Sequence, residues 1–318
     1  MRNERVFVSG GAGVIGQVLV GRLVELGASL LVGDLKPRPK SMSHQVQYRQ
    51  GDLNTISFSE LSSFAPTIFF HLAATFERSI ESFTFFEQNF LNNIRLSHHL
   101  MSLLKDVESL KRVVFASSYL IYDSSLYTFK EPVDKATPLS ENMAISPRNL
   151  TGMAKLAHEV ELGFLERFRS SHFSSVSARI FRGYGRNSRD IISRWIRSTL
   201  RGEEIRVFCP EGIFDYIYAD DTAEGLIRIA QTPSVRGIIN LGTGRPRRVV
   251  DIVNVIRANL PNVKVVHDNE VEFDYECSCA DINLLREKVR WTPRYDLEEA
   301  IPEIIEYERT RVLENDDL

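Results

Sequence analysis

Apolar residues in this chain gather in short runs set apart by turn residues, and in the longer stretches between runs they recur every three or four positions. The first run, residues 6–8, is followed by a glycine-rich turn and then by residues 17–26 with helical spacing. The alternation returns along the chain. Residues 29–32, 46–48, 67–72, 112–116 and 176–180 read as buried strands, and residues 85–104 and 154–168 as the clearest amphipathic helices. Strands alternating with helices predict an α/β fold with a doubly wound parallel sheet, whose ligands sit at the carboxyl ends of the strands. Past residue 180 the pattern changes: helices are predicted over 190–201 and 250–260 and short strands over 205–208 and 263–266, while apolar returns at 217–218 and 238–239 lead back to the first part.

Composition narrows the class without naming it. The chain has 318 residues, 43% hydrophobic and 25% charged, which suits one large or two modest globular domains. A net charge of −3 implies no general affinity for nucleic acid. The three cysteines, Cys209, Cys277 and Cys279, are too few and too poorly spaced for a disulfide framework or a zinc site, so reduced thiols, a cytoplasmic location and no metal are expected. No signal-peptide pattern precedes the first strand and no apolar run is long enough for a bilayer, so no membrane association is expected.

The chemistry starts in the turn Ser9-Gly10-Gly11-Ala12-Gly13-Val14-Ile15-Gly16. Gly10 permits a tight strand-to-helix turn, Gly13 lets backbone approach a pyrophosphate, and Gly16 lets the helix pack on the sheet. The helix start, with Val14 and Ile15, then faces the phosphates. Asp34 ends the second apolar run at about the 20-residue spacing of an acid that holds an adenosine ribose. A carboxylate there accepts from a 2′-hydroxyl and repels a 2′-phosphate, which favours NAD. Lys36 and Arg38 follow in a proline-bearing loop and read as solvated. The expected organisation is a Rossmann domain over residues 1–180, with returns near 215–245, and a mainly substrate-binding lobe over 181–318.

By Phe115-Ala116-Ser117-Ser118-Tyr119-Leu120-Ile121-Tyr122 the chain resembles the extended short-chain dehydrogenase/reductase family, the NAD-dependent epimerases and dehydratases of nucleotide sugars. Further motifs carry the resemblance nearly end to end: Gly51-Asp52-Leu53, His71-Leu72-Ala73-Ala74, Asn89, Gly183-Tyr184-Gly185, Tyr218-Ala219-Asp220-Asp221, Asn240-Leu241-Gly242-Thr243-Gly244, Ala280-Asp281 and Trp291-Thr292-Pro293. The resemblance implies that Asp52, Leu53, Leu72, Ala73, Ala74, Asn89 and Lys155 join the glycine turn and Asp34 in holding NAD. It implies Ser118 as the serine that binds the sugar oxygen, with Ser117 beside it, and Lys155 as the catalytic lysine four residues after Thr151 on one helix face. It also implies a homodimer through the helices over 85–104 and 154–168.

Three positions depart from the family pattern. Thr151 stands where the family has its catalytic tyrosine, and a threonine hydroxyl is a far poorer acid and base than a phenol with a pKa of about 10. Substitute bases are Tyr119, or an ordered water acting with Lys155; Tyr122 and Tyr184 stand where the family commonly carries a structural tyrosine. Arg182 replaces an asparagine, and Phe214 replaces an arginine that grips the diphosphate. Arg182, helped by Arg186 or Arg189, is the candidate partner for an anionic group of a nucleotide-sugar or sugar-phosphate substrate. Tyr119-Leu120 occupy the place of the dehydratase acidic pair, which disfavours 4,6-dehydration. The expected activity is epimerisation through transient C4 oxidation. Alternatives are a dehydrogenase or dehydratase of the same family, and a non-catalytic NAD-binding protein.

Overall fold

The computed structural model describes residues 1–76, 81–168, 173–267 and 274–313, the side chains of the last two excepted. In chain order the first elements are β1 (Arg5–Ser9), α1 (Val14–Glu25), β2 (Ser29–Asp34), β3 (Gln47–Gln50), α2 (Phe58–Phe64), β4 (Ile68–His71), α3 (Phe83–Asn89) and α4 (Leu96–Leu104). There follow β5 (Arg112–Ser118), β6 (Thr128–Phe129), β7 (Thr137–Leu139), α5 (Leu150–Phe168), β8 (Ser174–Ile180), β9 (Arg182–Tyr184), α6 (Ile191–Leu200), β10 (Glu204–Val207), β11 (Ile213–Phe214) and β12 (Tyr216–Tyr218). The chain closes with α7 (Ala219–Ala230), β13 (Gly237–Leu241), β14 (Arg247–Arg248), α8 (Val249–Asn259), β15 (Lys264–His267), β16 (Tyr275–Ala280), α9 (Asn283–Val289) and α10 (Leu297–Leu313).

Seven strands form one sheet in the order β13-β8-β5-β4-β1-β2-β3, every pair parallel. The order reverses beside β1, and such a switch point opens a crevice for ligands. The α/β Rossmann-type core is thus present as the apolar pattern predicts. The sheet interior carries an aromatic row: Phe7 stacks on Phe69 at 5.0 Å, and His71 on both Phe69 and Phe115 at 5.4 Å. Burial, with the charge of Lys155 nearby, pushes His71 well below the usual histidine range, so it is held neutral between Ser9 Oγ (2.6 Å) and Ser97 Oγ (2.8 Å).

The helix expected over 85–104 is interrupted. A π-helical turn, Phe90–Arg95, separates α3 from α4. It presents Asn93 so that its amide accepts from Thr75 N and donates to Thr75 O, both at 2.8 Å, which fixes the loop after β4. Wide turns of this kind cluster at functional sites because they re-aim side chains without ending the helix.

The smaller region packs its own apolar core from α6, α8, α10 and the strands between them. Its link to the large sheet is a buried carboxylate. Asp215, 1% exposed, accepts from Thr243 N (2.8 Å) and Oγ1 (2.6 Å) at the end of β13, from Gly244 N (2.8 Å) and from Ala280 N in β16 (3.0 Å). Every contact requires an acceptor on Asp215. Asp215→Asn turns one acceptor into a donor facing donors and is expected to destabilise the fold by about 2–4 kcal/mol, read as a fall in the urea midpoint.

Candidate active site

The glycine turn is built for close approach. Gly10 has φ of 78°, a left-handed conformation suited to glycine, and a Cβ there would lie 2.6 Å from Ala73 N. A Cβ at Gly16 would lie 2.2 Å from Gly10 O, so α1 can start only against a bare backbone. Gly13 caps α1 without any side-chain hydrogen bond, which leaves the first helical amides for an anion. Asp34 stands at the end of β2, with Oδ2 accepting from Ala12 N at 2.8 Å and Oδ1 from Lys36 N at 3.0 Å. Leu53 fills the space over Gly33, where a Cβ would meet its Cδ2 at 2.5 Å, and Asp52 caps the short turn that presents it. Asn89 is fully buried and its Oδ1 accepts from Asn93, yet its Nδ2 has no partner. These residues fit a dinucleotide: bare helix amides for the pyrophosphate, a carboxylate at ribose distance along the sheet, and an orphaned amide donor.

Helix α5 meets the turn after Ser118 at an equally close contact. A Cβ at Gly152 would lie 2.6 Å from Leu120 O, Arg148 N donates to the same carbonyl, and Asn149 Oδ1 caps the helix at Gly152 N. The end of β5, with Ser118, thereby adjoins the first turns of α5, with Thr151 and Lys155. Thr151 and Lys155 are buried, at 7% and 8% exposure. Lys155 Nζ donates to Ala116 O at 2.6 Å and lies 4.7 Å from the centre of the Phe115 ring. Burial pushes its pKa down to about 8, only partly offset by Glu159.

Other expected residues lie elsewhere. Ser117 donates to Glu159 Oε1 at 2.6 Å, inside a buried ion pair whose other member is Arg179, at 2.8 Å. It is therefore turned into the interior. Tyr119 is held inward likewise. Its hydroxyl donates to Glu276 Oε1 at 2.7 Å, its ring stacks on Phe181, and burial pushes its pKa up, so it stays a phenol. Tyr122 is buried against Asn240, with its pKa raised by burial to about 12, and Tyr184 packs among Tyr216 and Tyr218. Arg186 is paired with Asp220 at 2.9 Å, and Arg189 is exposed.

The two altered positions, Arg182 and Phe214, touch each other: the guanidinium lies 3.7 Å from the centre of the Phe214 ring. Arg182 N donates to Asp215 O, so the same linkage that joins the two regions also places this side chain. The sequence reading missed Arg182's principal partner, Glu276. Its Oε2 accepts from Arg182 at 3.1 Å and from Arg148 at 2.7 Å, and its side chain is only 9% exposed. Burial works against its ionisation, but the two guanidiniums prevail and hold its carboxyl below the usual range. Two cations against one anion leave a net positive charge, about a third of each guanidinium's side chain remaining open. A charged residue within the mostly buried strand Tyr275–Ala280 was the available signal.

Comparison with known proteins agrees with this geometry. The chain matches the model of the NAD dependent epimerase/dehydratase family over residues 6–242. UDP-glucose 4-epimerase of Mycolicibacterium smegmatis is 24% identical over 324 residues, covering 96% of this chain and 99% of that protein. Among solved structures, MoeE5 in complex with UDP-glucose and NAD has a TM-score of 0.82 at 27% identity, covering 97% of this chain and 99% of that one. TunA, an NAD-dependent NDP-hexosamine 5,6-dehydratase of tunicamycin biosynthesis, has a TM-score of 0.82 at 25% identity, covering 98% and 99%.

Glu276→Gln leaves two partly exposed guanidiniums without their anion and is expected to cost about 1.5–3 kcal/mol near neutral pH, measured by denaturant unfolding. Because the carboxyl is held below its usual value, its contribution is complete above pH 4.5 and lost as pH falls further; the gap between the parent and the variant should narrow there.

Proposed function

Because this chain belongs to the NAD-dependent epimerase/dehydratase family, and so is an NAD-dependent oxidoreductase or isomerase of nucleotide-sugar metabolism, we propose that it epimerises a nucleotide sugar through transient oxidation at C4. The observation that carries the proposal is the half-buried Ser118 at the end of β5 beside the buried Thr151 and Lys155 of α5, retained although the phenol is gone. NAD, when bound, supplies a reversible acceptor for the hydrogen and electron pair of the sugar carbon. Ser118 Oγ and Thr151 Oγ1 hold the reacting hydroxyl. Its proton leaves through an ordered water to the neutral amine of Lys155, which returns it after the ketone has turned. Tyr119 takes no part, since Glu276 fixes its proton. Desolvation lowers Lys155 to about 8, so that roughly a tenth of it is neutral amine near pH 7, where a free lysine would be almost wholly protonated and unable to accept.

Arg182, seated on Phe214, and Arg148 supply positive charge for an anionic group of the substrate, which favours a phosphate- or carboxylate-bearing sugar. That MoeE5 has been solved with UDP-glucose and with UDP-glucuronic acid supports a substrate of this kind. The outer faces of α3 and α5, with the turn between α3 and α4, expose Phe83, Phe86, Phe90, Val160 and Phe164, and we assign them to a homodimer interface. A second reading, a non-catalytic NAD-binding protein, is favoured by Thr151 alone.

Single-turnover absorbance of the nicotinamide, with NAD and pools of nucleotide sugars and sugar phosphates, should show reduction with one pool, and product analysis should then give the C4 epimer. Tight NAD binding without reduction by any pool, together with activity created by Thr151→Tyr, would establish the non-catalytic reading. The rate of sugar oxidation should climb with pH, with its midpoint near 8, and level off above that as Lys155 loses its proton, and Lys155→Met should lower it at least about 100-fold. Sedimentation at micromolar concentration should give a dimer, and Phe86→Asp combined with Phe164→Asp should give a folded monomer.

A further inference from the structure

Four guanidiniums, Arg228, Arg286, Arg290 and Arg294, line one cleft of about 580 Å³ together with Trp291 and Thr292. The cleft lies between the last turn of α7, the last turn of α9 and the segment that follows it, all separate from the glycine turn and from the Ser118–Lys155 trio. Two members have an acid nearby: Arg228 pairs Nε to Glu224 Oε1 at 2.6 Å, a glutamate shared with Arg22 at 2.8 Å, and the Arg294 charge acts on Asp221, which accepts from Arg294 N. Among the described residues, the side chains of Arg286, Arg290 and Arg294 make no ion pair or hydrogen bond.

Helix ends account for part of this arrangement, since the carbonyl end of a helix favours a cation, as at Arg228 and Arg286. They do not account for the rest. Arg290 caps α9 with φ of 54°, a left-handed position where glycine or asparagine is usual, and its side chain nonetheless lines the cleft. Arg294 follows four residues later, fixed by its backbone N–H to Asp221 Oδ2 at 2.9 Å. The floor is rigid as well: a Cβ at Gly225 would meet the Trp291 ring at 2.9 Å, so the indole lies directly on α7. Like charges converging on a shaped, firm-floored cleft repel one another until an anion enters, and guanidinium forks match phosphate oxygens two at a time.

We propose that this cleft is a second anion site, for a compact polyphosphate such as the tail of a free nucleoside triphosphate. Its size exceeds that of a single phosphate. The chain's net charge of −3 argues against an extended nucleic acid as the occupant.

The test is calorimetric titration of the NAD-loaded protein with inorganic tripolyphosphate and, separately, with ATP at about 150 mM salt, where weak surface attraction is screened. One-to-one binding is expected. In Arg290→Ala combined with Arg294→Ala the dissociation constant should rise at least about tenfold, with the fold verified by thermal unfolding, while Arg257→Ala on α8 leaves it unchanged. ATP binding tenfold tighter than tripolyphosphate would assign a nucleotide, and equal affinities the polyphosphate alone; both support the site. The proposal fails if neither probe binds saturably, if the double variant binds as the parent does, if Arg257→Ala weakens binding equally, or if a single-stranded oligonucleotide displaces both probes at far lower concentration. None of these outcomes depends on the reaction proposed above.

Discussion

A single buried carboxylate sets the relation between the two regions of this protein. Asp215 gathers donors from the end of β13 in the large sheet and from β16 in the smaller region, and its own backbone carbonyl receives Arg182 N. A carboxylate suits this task because it offers several lone pairs to converging amides, each of which would otherwise be buried unpaired. Once Asp215 is placed, Phe214 and Tyr216 on either side of it are placed too. Phe214 then supplies the ring on which the Arg182 guanidinium rests. The Arg182 side chain is therefore positioned by the linkage that holds the lobe to the sheet.

The electrostatics of the site follow from a second carboxylate. Glu276 would be costly in its buried strand, and it persists because Arg148 and Arg182 reach it from two other segments. The cluster carries one positive charge more than it neutralises. Tyr119 is drawn into the same cluster, which removes it from acid-base chemistry and makes it a spacer between Phe181 and Glu276. Buried charge thus does two things here: it fixes the geometry of the lobe against β5, and it leaves a cationic face.

On the opposite wall, Lys155 owes its character to burial. Its amine sits over Phe115 and against one carbonyl, while the nearest carboxylate, Glu159, is already occupied by Arg179 and Ser117. With no anion to itself, the ammonium is disfavoured by desolvation. Lys155 is therefore an amine able to exchange a proton near pH 8.

The sequence by itself determined the sheet and the cofactor turn, because both rest on local rules. Period-two and period-3.6 apolar patterns identify strands and helices, and Gly10 and Gly16 stand where close backbone contacts exclude a side chain. The positions of Ser118 and Lys155 were legible for the same reason, each tied to an element end. What tertiary structure decided was every assignment resting on contacts between distant segments. No spacing rule connects Arg148, Arg182 and Glu276, and none says that Ser117 turns inward to Glu159 or that the π-helical turn at Phe90–Arg95 aims Asn93 at Thr75. Local sequence sets backbone conformation through short-range sterics, whereas the pairing of buried charges is set by which strands the fold lays side by side.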